Sequence, residues 1–262
     1  MAMKLSALIS GVLGFSFVGA LFPVLSFCAA ADLQTIQQRG RLIVAVKADL
    51  RPLGFRENNS QLKGLEIDIA QRLAQDLLGR KDALELQAVN NSDRLAAVLE
   101  GKADIAIAHV TGTSVRSRLV SFSVPYYLDG TALVTRDSSV QRMADVGKRT
   151  IAVLDGSSTI ATLRYRLPEA NLISVPSYQA AHALLEKNEV IAFAADASVL
   201  TGWVQEFPSY RLLTPTLSAE PLCIVMPKGL QYEDLRSQIN QIISRWIAEG
   251  WLQERAKYWG LP

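Results

Sequence analysis

The chain of 262 residues suits one large or two medium domains, and with 49% hydrophobic and 20% charged residues it can build a core rather than stay disordered. Its 27 Lys and Arg against 25 Asp and Glu leave a net charge of only +2, too balanced for a nucleic-acid-binding surface. Two Cys and two His exclude a disulfide scaffold, a thiolate zinc centre and a multi-histidine metal centre.

Residues 1–31 carry Lys4 as their only charge, then a long apolar run, then Ala29-Ala30-Ala31. This is the layout of a secretory signal peptide cleaved before Asp32. Two other readings of the segment are lipid anchoring through Cys28, after Leu25-Ser26-Phe27, and retention as a membrane anchor. From Asp32 on, Leu42–Val46 reads as a buried strand. Ile69, Ala70, Leu73, Ala74 and Leu77 repeat at helical spacing up to Gly79. Residues 83–89 read as a strand, 92–100 as a helix stopped at Gly101, and 105–108 as another buried strand. The cycle restarts with Thr150–Leu154, a helix over 158–166, Asn171–Val175, a helix over 178–187 and a strand over 190–195. A late strand over 222–226 precedes a long helix carried by Leu235, Ile239, Ile242, Ile243, Trp246 and Ile247. Cys223 lies in that apolar strand and reads as a small buried hydrophobe.

Strand–helix alternation with continuous apolar strands predicts an α/β fold of parallel sheets covered by helices. Two cycles without a linker predict two lobes that share crossing strands, with Thr131–Thr135 and residues 221–226 as the candidates. The expected division is 32–129 with 219–262 in one lobe and 130–218 in the other.

In open α/β sheets ligands sit beyond the carboxyl ends of the strands. Four apolar runs here end in polar side chains: Lys47, His109, Asp155 and Asp196. Each alone could be an ordinary strand end. Gly156-Ser157-Ser158-Thr159 joins a strand to a helix, where serine either caps the helix or helps its N–H groups hold a carboxylate. Arg94 either pairs with Asp93 in solvent or reaches into the cleft. Arg116 and Arg118 both follow Thr111-Gly112-Thr113-Ser114, and spacing does not choose between them. Glu66 and Asp68 read as solvent-facing helix positions, and His182 as a helix-surface residue. No G-x-S-x-G or H-E-x-x-H motif and no phosphate-binding glycine loop occurs, so neither an enzyme nor a cofactor or metal is expected. What remains suits a zwitterion, with arginine for its carboxylate and an aspartate for its ammonium.

Several motifs together resemble the family 3 periplasmic solute-binding proteins, the amino-acid receptors of ABC importers, over essentially all of 32–262. Gly64-Leu65-Glu66-Ile67-Asp68-Ile69-Ala70 is similar to the family's G-F-D-x-D-[LIV]-A. Leu99-Glu100-Gly101-Lys102-Ala103-Asp104-Ile105 matches L-x-x-G-x-x-D-[AI]. Thr113-Ser114-Val115-Arg116 stands at T-P-E-R, Val120-Ser121-Phe122-Ser123-Val124-Pro125-Tyr126-Tyr127 at V-x-F-S-x-P-Y-Y, and residues 190–196 at V-D-A-x-x-x-D. The resemblance implies a type II two-lobed binding-protein fold with two hinge-crossing strands. It also implies a free amino acid as ligand, a membrane permease as partner, a periplasmic location and a monomer. It gives the α-carboxylate to Arg116, aided by Thr111 and by Ser158 across the cleft, and the α-ammonium to Asp196, with Ser157 and His109 also among the ligand-binding residues. Lys47 and Arg94 resemble the aspartate- and glutamate-binding subgroup, where they meet the side-chain carboxylate; glutamine is the alternative ligand. His109 departs from the Gly, Thr or Ser common at its position. A secreted dehydratase-like enzyme of the same fold and an anchored sensor are the other readings.

Overall fold

The computed structural model describes residues 30–57 and 61–262. The expected leader up to residue 29, with Cys28, lies outside the described residues. In chain order the elements are α1 (Leu33–Arg39), β1 (Leu42–Val46), β2 (Asp49–Leu50), β3 (Gly54–Arg56), β4 (Leu62–Lys63), α2 (Leu65–Leu78), β5 (Leu84–Ala88), α3 (Arg94–Leu99), β6 (Ile105–Ile107), β7 (Ser121–Phe122) and β8 (Tyr127–Asp129). Then come β9 (Thr131–Thr135), β10 (Thr150–Leu154), α4 (Thr159–Arg166), β11 (Asn171–Val175), α5 (Tyr178–Glu186), β12 (Ala192–Asp196), α6 (Ala197–Glu206) and β13 (Arg211–Leu213). The chain closes with β14 (Glu220–Leu222), β15 (Val225–Met226), α7 (Glu233–Ala248) and α8 (Trp251–Tyr258). Among the described residues no helix is long and apolar enough to cross a membrane.

Two five-stranded sheets define two lobes, ordered β5-β1-β6-β15-β7 and β11-β10-β12-β9-β13. The expected parallel strands are present: β1 pairs in parallel with β5 and β6, and β10 with β11 and β12. The sheets are nevertheless mixed, because β15 runs antiparallel to β6 and β9 antiparallel to β12. The reason is geometric. A strand arriving from the other lobe enters at the cleft edge, where the parallel strands end, and so runs back against them.

The crossing also differs from the expectation. β8 and β14 pair antiparallel as a separate two-stranded ribbon between the lobes, with Glu220 opposite Asp129. Thr131–Thr135 lies wholly inside the second sheet, and the expected strand over 222–226 is two short strands, β14 and β15.

The first core gathers Leu42, Val44 and Ile105 with Leu65, Ile69 and Leu73 of α2 and Leu235, Ile239 and Trp246 of α7. Full burial of each such side chain contributes roughly 1.5–3 kcal/mol. Helix α8 closes this lobe: the Trp259 indole donates to Asp68 at 2.8 Å, and Arg255 pairs with the same carboxylate at 2.5 Å. A smaller core built on Phe193, Ala152, Leu200 and Trp203 holds the second lobe.

The lobes touch. Gly202 on α6 approaches the Arg51 loop of the first lobe so closely that a Cβ there would stand 2.1 Å from the Arg51 carbonyl oxygen. Gln205 adds a hydrogen bond to the Trp259 carbonyl at 2.8 Å.

Candidate functional site

The polar ends of β6 and β12 meet where the lobes face each other. His109 follows β6, and its backbone is left-handed, with φ 52. That conformation costs a non-glycine residue about 1–2 kcal/mol, so something must hold it. The His109 N–H donates to the Glu66 carboxylate at 2.6 Å, and its carbonyl accepts from the Arg94 guanidinium. Arg94 also donates to the Ala108 carbonyl at 3.1 Å. It has therefore turned inward from α3, away from Asp93, which accepts instead from the Ser92 hydroxyl at 2.9 Å.

Glu66 corrects the expectation of a solvent-facing carboxylate. It is fully buried on the first turn of α2, and one oxygen accepts from both His109 and the Tyr126 hydroxyl, the latter at 2.6 Å. Burial pushes its pKa up against those favourable hydrogen bonds. Asp68 alone of the pair is partly exposed, and it too is bonded, to Arg255 and Trp259.

The His109 ring points to the junction of the lobes. Its Nε2 lies 3.3 Å from Asp129 on β8, 3.5 Å from Asp196 at the end of β12 and 3.5 Å from the Ser198 hydroxyl. Asp129 is buried but accepts from the Ser198 hydroxyl, the Ser198 N–H at 3.1 Å and the Gly130 N–H at 2.9 Å. Burial opposes its charge, yet these bonds and His109 bring its pKa below the ordinary carboxylate range. Asp196 has weaker support. Burial pushes it up to about 6, with His109 pulling the other way and Asp129 adding to the rise. For His109, burial works against protonation, and Asp129, Asp196 and Glu66 overcome it, raising the pKa.

One oxygen from each aspartate and the His109 nitrogen lie within 4.8 Å of one another, a spacing at which a divalent cation could be shared; it is the one such group among the described residues. The bonds into Asp129 make it an ion-paired cluster, with a net charge of −1 when His109 is protonated.

Arg116 donates to the Thr111 carbonyl at 2.9 Å, while Arg118 is exposed. Burial lowers the Arg94 pKa, and the neighbouring charge of Arg116 adds to the fall. No carboxylate lies within 4 Å of either guanidinium among the described residues. Lys47 is buried but already paired, with Asp49 at 2.9 Å. Ser157 accepts from the Thr159 N–H at 3.2 Å and so caps α4, while Ser158 makes no side-chain capping bond. Neither serine bonds to another of the expected site residues. Asp155, the fourth polar strand end, is exposed.

A pocket of about 400 Å³ opens between the lobes, and none of the cluster residues lines it. Asp49, Leu50 and Arg51 line one wall; Tyr178, Trp203 and Phe207 line the other. His182 is not a free surface residue. Its ring is 4.5 Å from that of Phe207 and 5.6 Å from that of Trp203.

Residues 42–262 match the bacterial extracellular solute-binding proteins, family 3. The chain belongs to that family. The glutamine-binding protein of Geobacillus stearothermophilus is 33% identical over 192 residues, covering 72% of this chain and 73% of its own. The glutamate-binding protein of Corynebacterium glutamicum is 25% identical over 227 residues, 82% of this chain and 77% of its own. Among solved structures, the solute receptor for L-cysteine of Neisseria gonorrhoeae is 26% identical with a TM-score of 0.67, covering 87% of this chain and 93% of that one.

The cluster sits where the two lobes face each other. Asp129 and Ser198 escape the sequence reading, which places Glu66 in solvent. Asp129 left one signal: a carboxylate next to Gly130, two positions after the Y-Y motif, where burial would force it to find a partner.

Proposed function

We propose that the protein is the periplasmic substrate-binding component of an ABC importer, taking an acidic amino acid, glutamate or aspartate, into the cleft between its lobes. One observation carries the ligand assignment. Two guanidiniums without a carboxylate partner stand near a cluster of two carboxylates and one imidazole, with a net charge of −1 when the imidazole is protonated. A solute with two carboxylates and one ammonium complements that set. In this reading Arg116, with Thr111 and Ser158, takes the α-carboxylate, Asp196 takes the α-ammonium, and Arg94 and Lys47 face the side-chain carboxylate. Ser157 holds the loop that presents Ser158.

The lobes, 32–129 with 219–262 and 130–218, close by bending at the β8–β14 ribbon. Ligand binds one lobe and closure brings up the other, and the permease recognises the closed form. No catalytic step is required of any residue.

Calorimetry with glutamate, aspartate, glutamine and asparagine tests the assignment. An amide leaves a guanidinium unpaired in the closed cleft, which typically costs ~1–3 kcal/mol, so an acid should bind at least about tenfold more tightly. Glutamine or a basic amino acid binding more tightly than both acids overturns the acidic ligand. Glutamine is the second reading, favoured because Asp49 already neutralises Lys47 and because one relative is named for glutamine.

A further inference from the structure

His109 is fixed from several directions. Glu66 of α2 holds its N–H, Arg94 of α3 holds its carbonyl, and Asp129 of the crossing ribbon holds its ring. A residue pinned in an unfavourable backbone by two charged groups is there for its side chain. What the side chain is pinned against is Asp196, the carboxylate that the amino-acid reading gives to the ligand ammonium.

We propose that the His109 imidazolium is a built-in competitor of the ligand ammonium: it satisfies Asp196 in the ligand-free cleft, and binding exchanges one cation for the other. The proposal rests on the amino-acid reading above. Asp129 keeps the ring in place after the exchange, since it contacts the same ring nitrogen and is itself fixed by Ser198 and Gly130. His109 thus sets the affinity of the site without needing to touch the ligand.

The exchange has a protonic signature. The groups facing His109 are Glu66, with Tyr126 bonded to it, then Arg94, Asp129, Asp196 and Ser198. The three carboxylates favour the charged ring, while burial opposes it. An arriving ammonium takes up the Asp196 charge and adds a like charge beside the ring. The ring then holds its proton less tightly, and binding near neutral pH releases part of a proton. At about pH 7.5 Asp196 is already ionised, because its pKa lies at about 6, so the proton comes from His109.

Calorimetry with L-glutamate and L-glutamine, in two buffers of different ionisation enthalpy, counts protons released per ligand bound. The unmodified protein should release a measurable fraction of a proton per ligand bound at about pH 7.5. His109→Asn and His109→Gly fit the left-handed backbone and carry no charge. Both should release none and should bind at least about threefold more tightly at neutral pH. Absence of proton release from the unmodified protein overturns the proposal, and this measurement needs no variant to fold. Equal or weaker binding by both variants also overturns it. If neither amino acid binds any form, the receptor reading and this proposal fall together; binding without proton release removes the proposal alone.

Discussion

Gly202→Ala should weaken ligand binding while leaving each lobe intact. Gly202 lies inside helix α6, where alanine is favoured over glycine by up to about 1 kcal/mol, so the second lobe by itself gains rather than loses. The penalty arises only where the lobes meet. The added Cβ would stand 2.1 Å from the Arg51 carbonyl oxygen, whereas a carbon–oxygen contact ordinarily settles at about 3.3–3.6 Å. The obstacle is backbone on both sides, so no side chain can swing away. The lobes must part by roughly 1 Å at this point, and overpacking of this kind costs about 1–3 kcal/mol. Loaded onto closure, that weakens affinity by roughly fivefold to 150-fold. Calorimetry of glutamate or glutamine binding, beside thermal denaturation of the ligand-free protein, separates the two effects. Affinity within about twofold of the unmodified protein, with the fold unchanged, would refute the reasoning that this contact belongs to the ligand-bound form.

Arg116→Ala should reduce binding of every amino acid by about thirtyfold or more, because truncating one side of a buried charge pair costs about 2–5 kcal/mol. Arg118→Ala, at an exposed position, should change affinity by less than about threefold; equal losses in the two variants would move the carboxylate site away from Arg116. Lowering the pH from about 7 to about 5 should weaken binding about tenfold. The Asp196 pKa is raised to about 6, so its carboxylate is lost as pH falls through that value, and an ammonium ligand loses its partner. A flat titration from pH 7 to 5 would show that Asp196 does not carry the ammonium.

The strands most legible in sequence are those of continuous Val, Ile, Leu and Ala, such as β1 and β6. They lie inside a sheet covered by helices, where a polar residue would be stranded. Strands β7, β8 and β15 are two or three residues long, too short for a period to register. Glu66 was misread for a different reason. Charge at the first turn of a helix usually faces water and the helix dipole welcomes it, and only the tertiary approach of Tyr126 and His109 turns the position inward. Arg94 could be assigned to either of two surroundings, and the choice was made by the His109 carbonyl, fifteen positions away and invisible in local pattern. His109 itself stood out as a residue where a small one is usual. Its partner Asp129 did not, since nothing in sequence joins the ends of β6 and β8.

The clasp between α8 and α2 bears on the order of assembly. Trp259 and Arg255 reach Asp68 across separations of 191 and 187 positions, and Trp246 reaches Asp76 across 170. The second sheet, by contrast, draws all its strands from one unbroken stretch, Thr131 to Leu213. It can form as soon as that stretch is free. The first sheet waits for β15, and its core waits for α7 and α8. Until then β1, β5 and β6 present apolar faces without their cover, and closing such distant contacts is slow. The half of the molecule that emerges first is therefore the last to be finished.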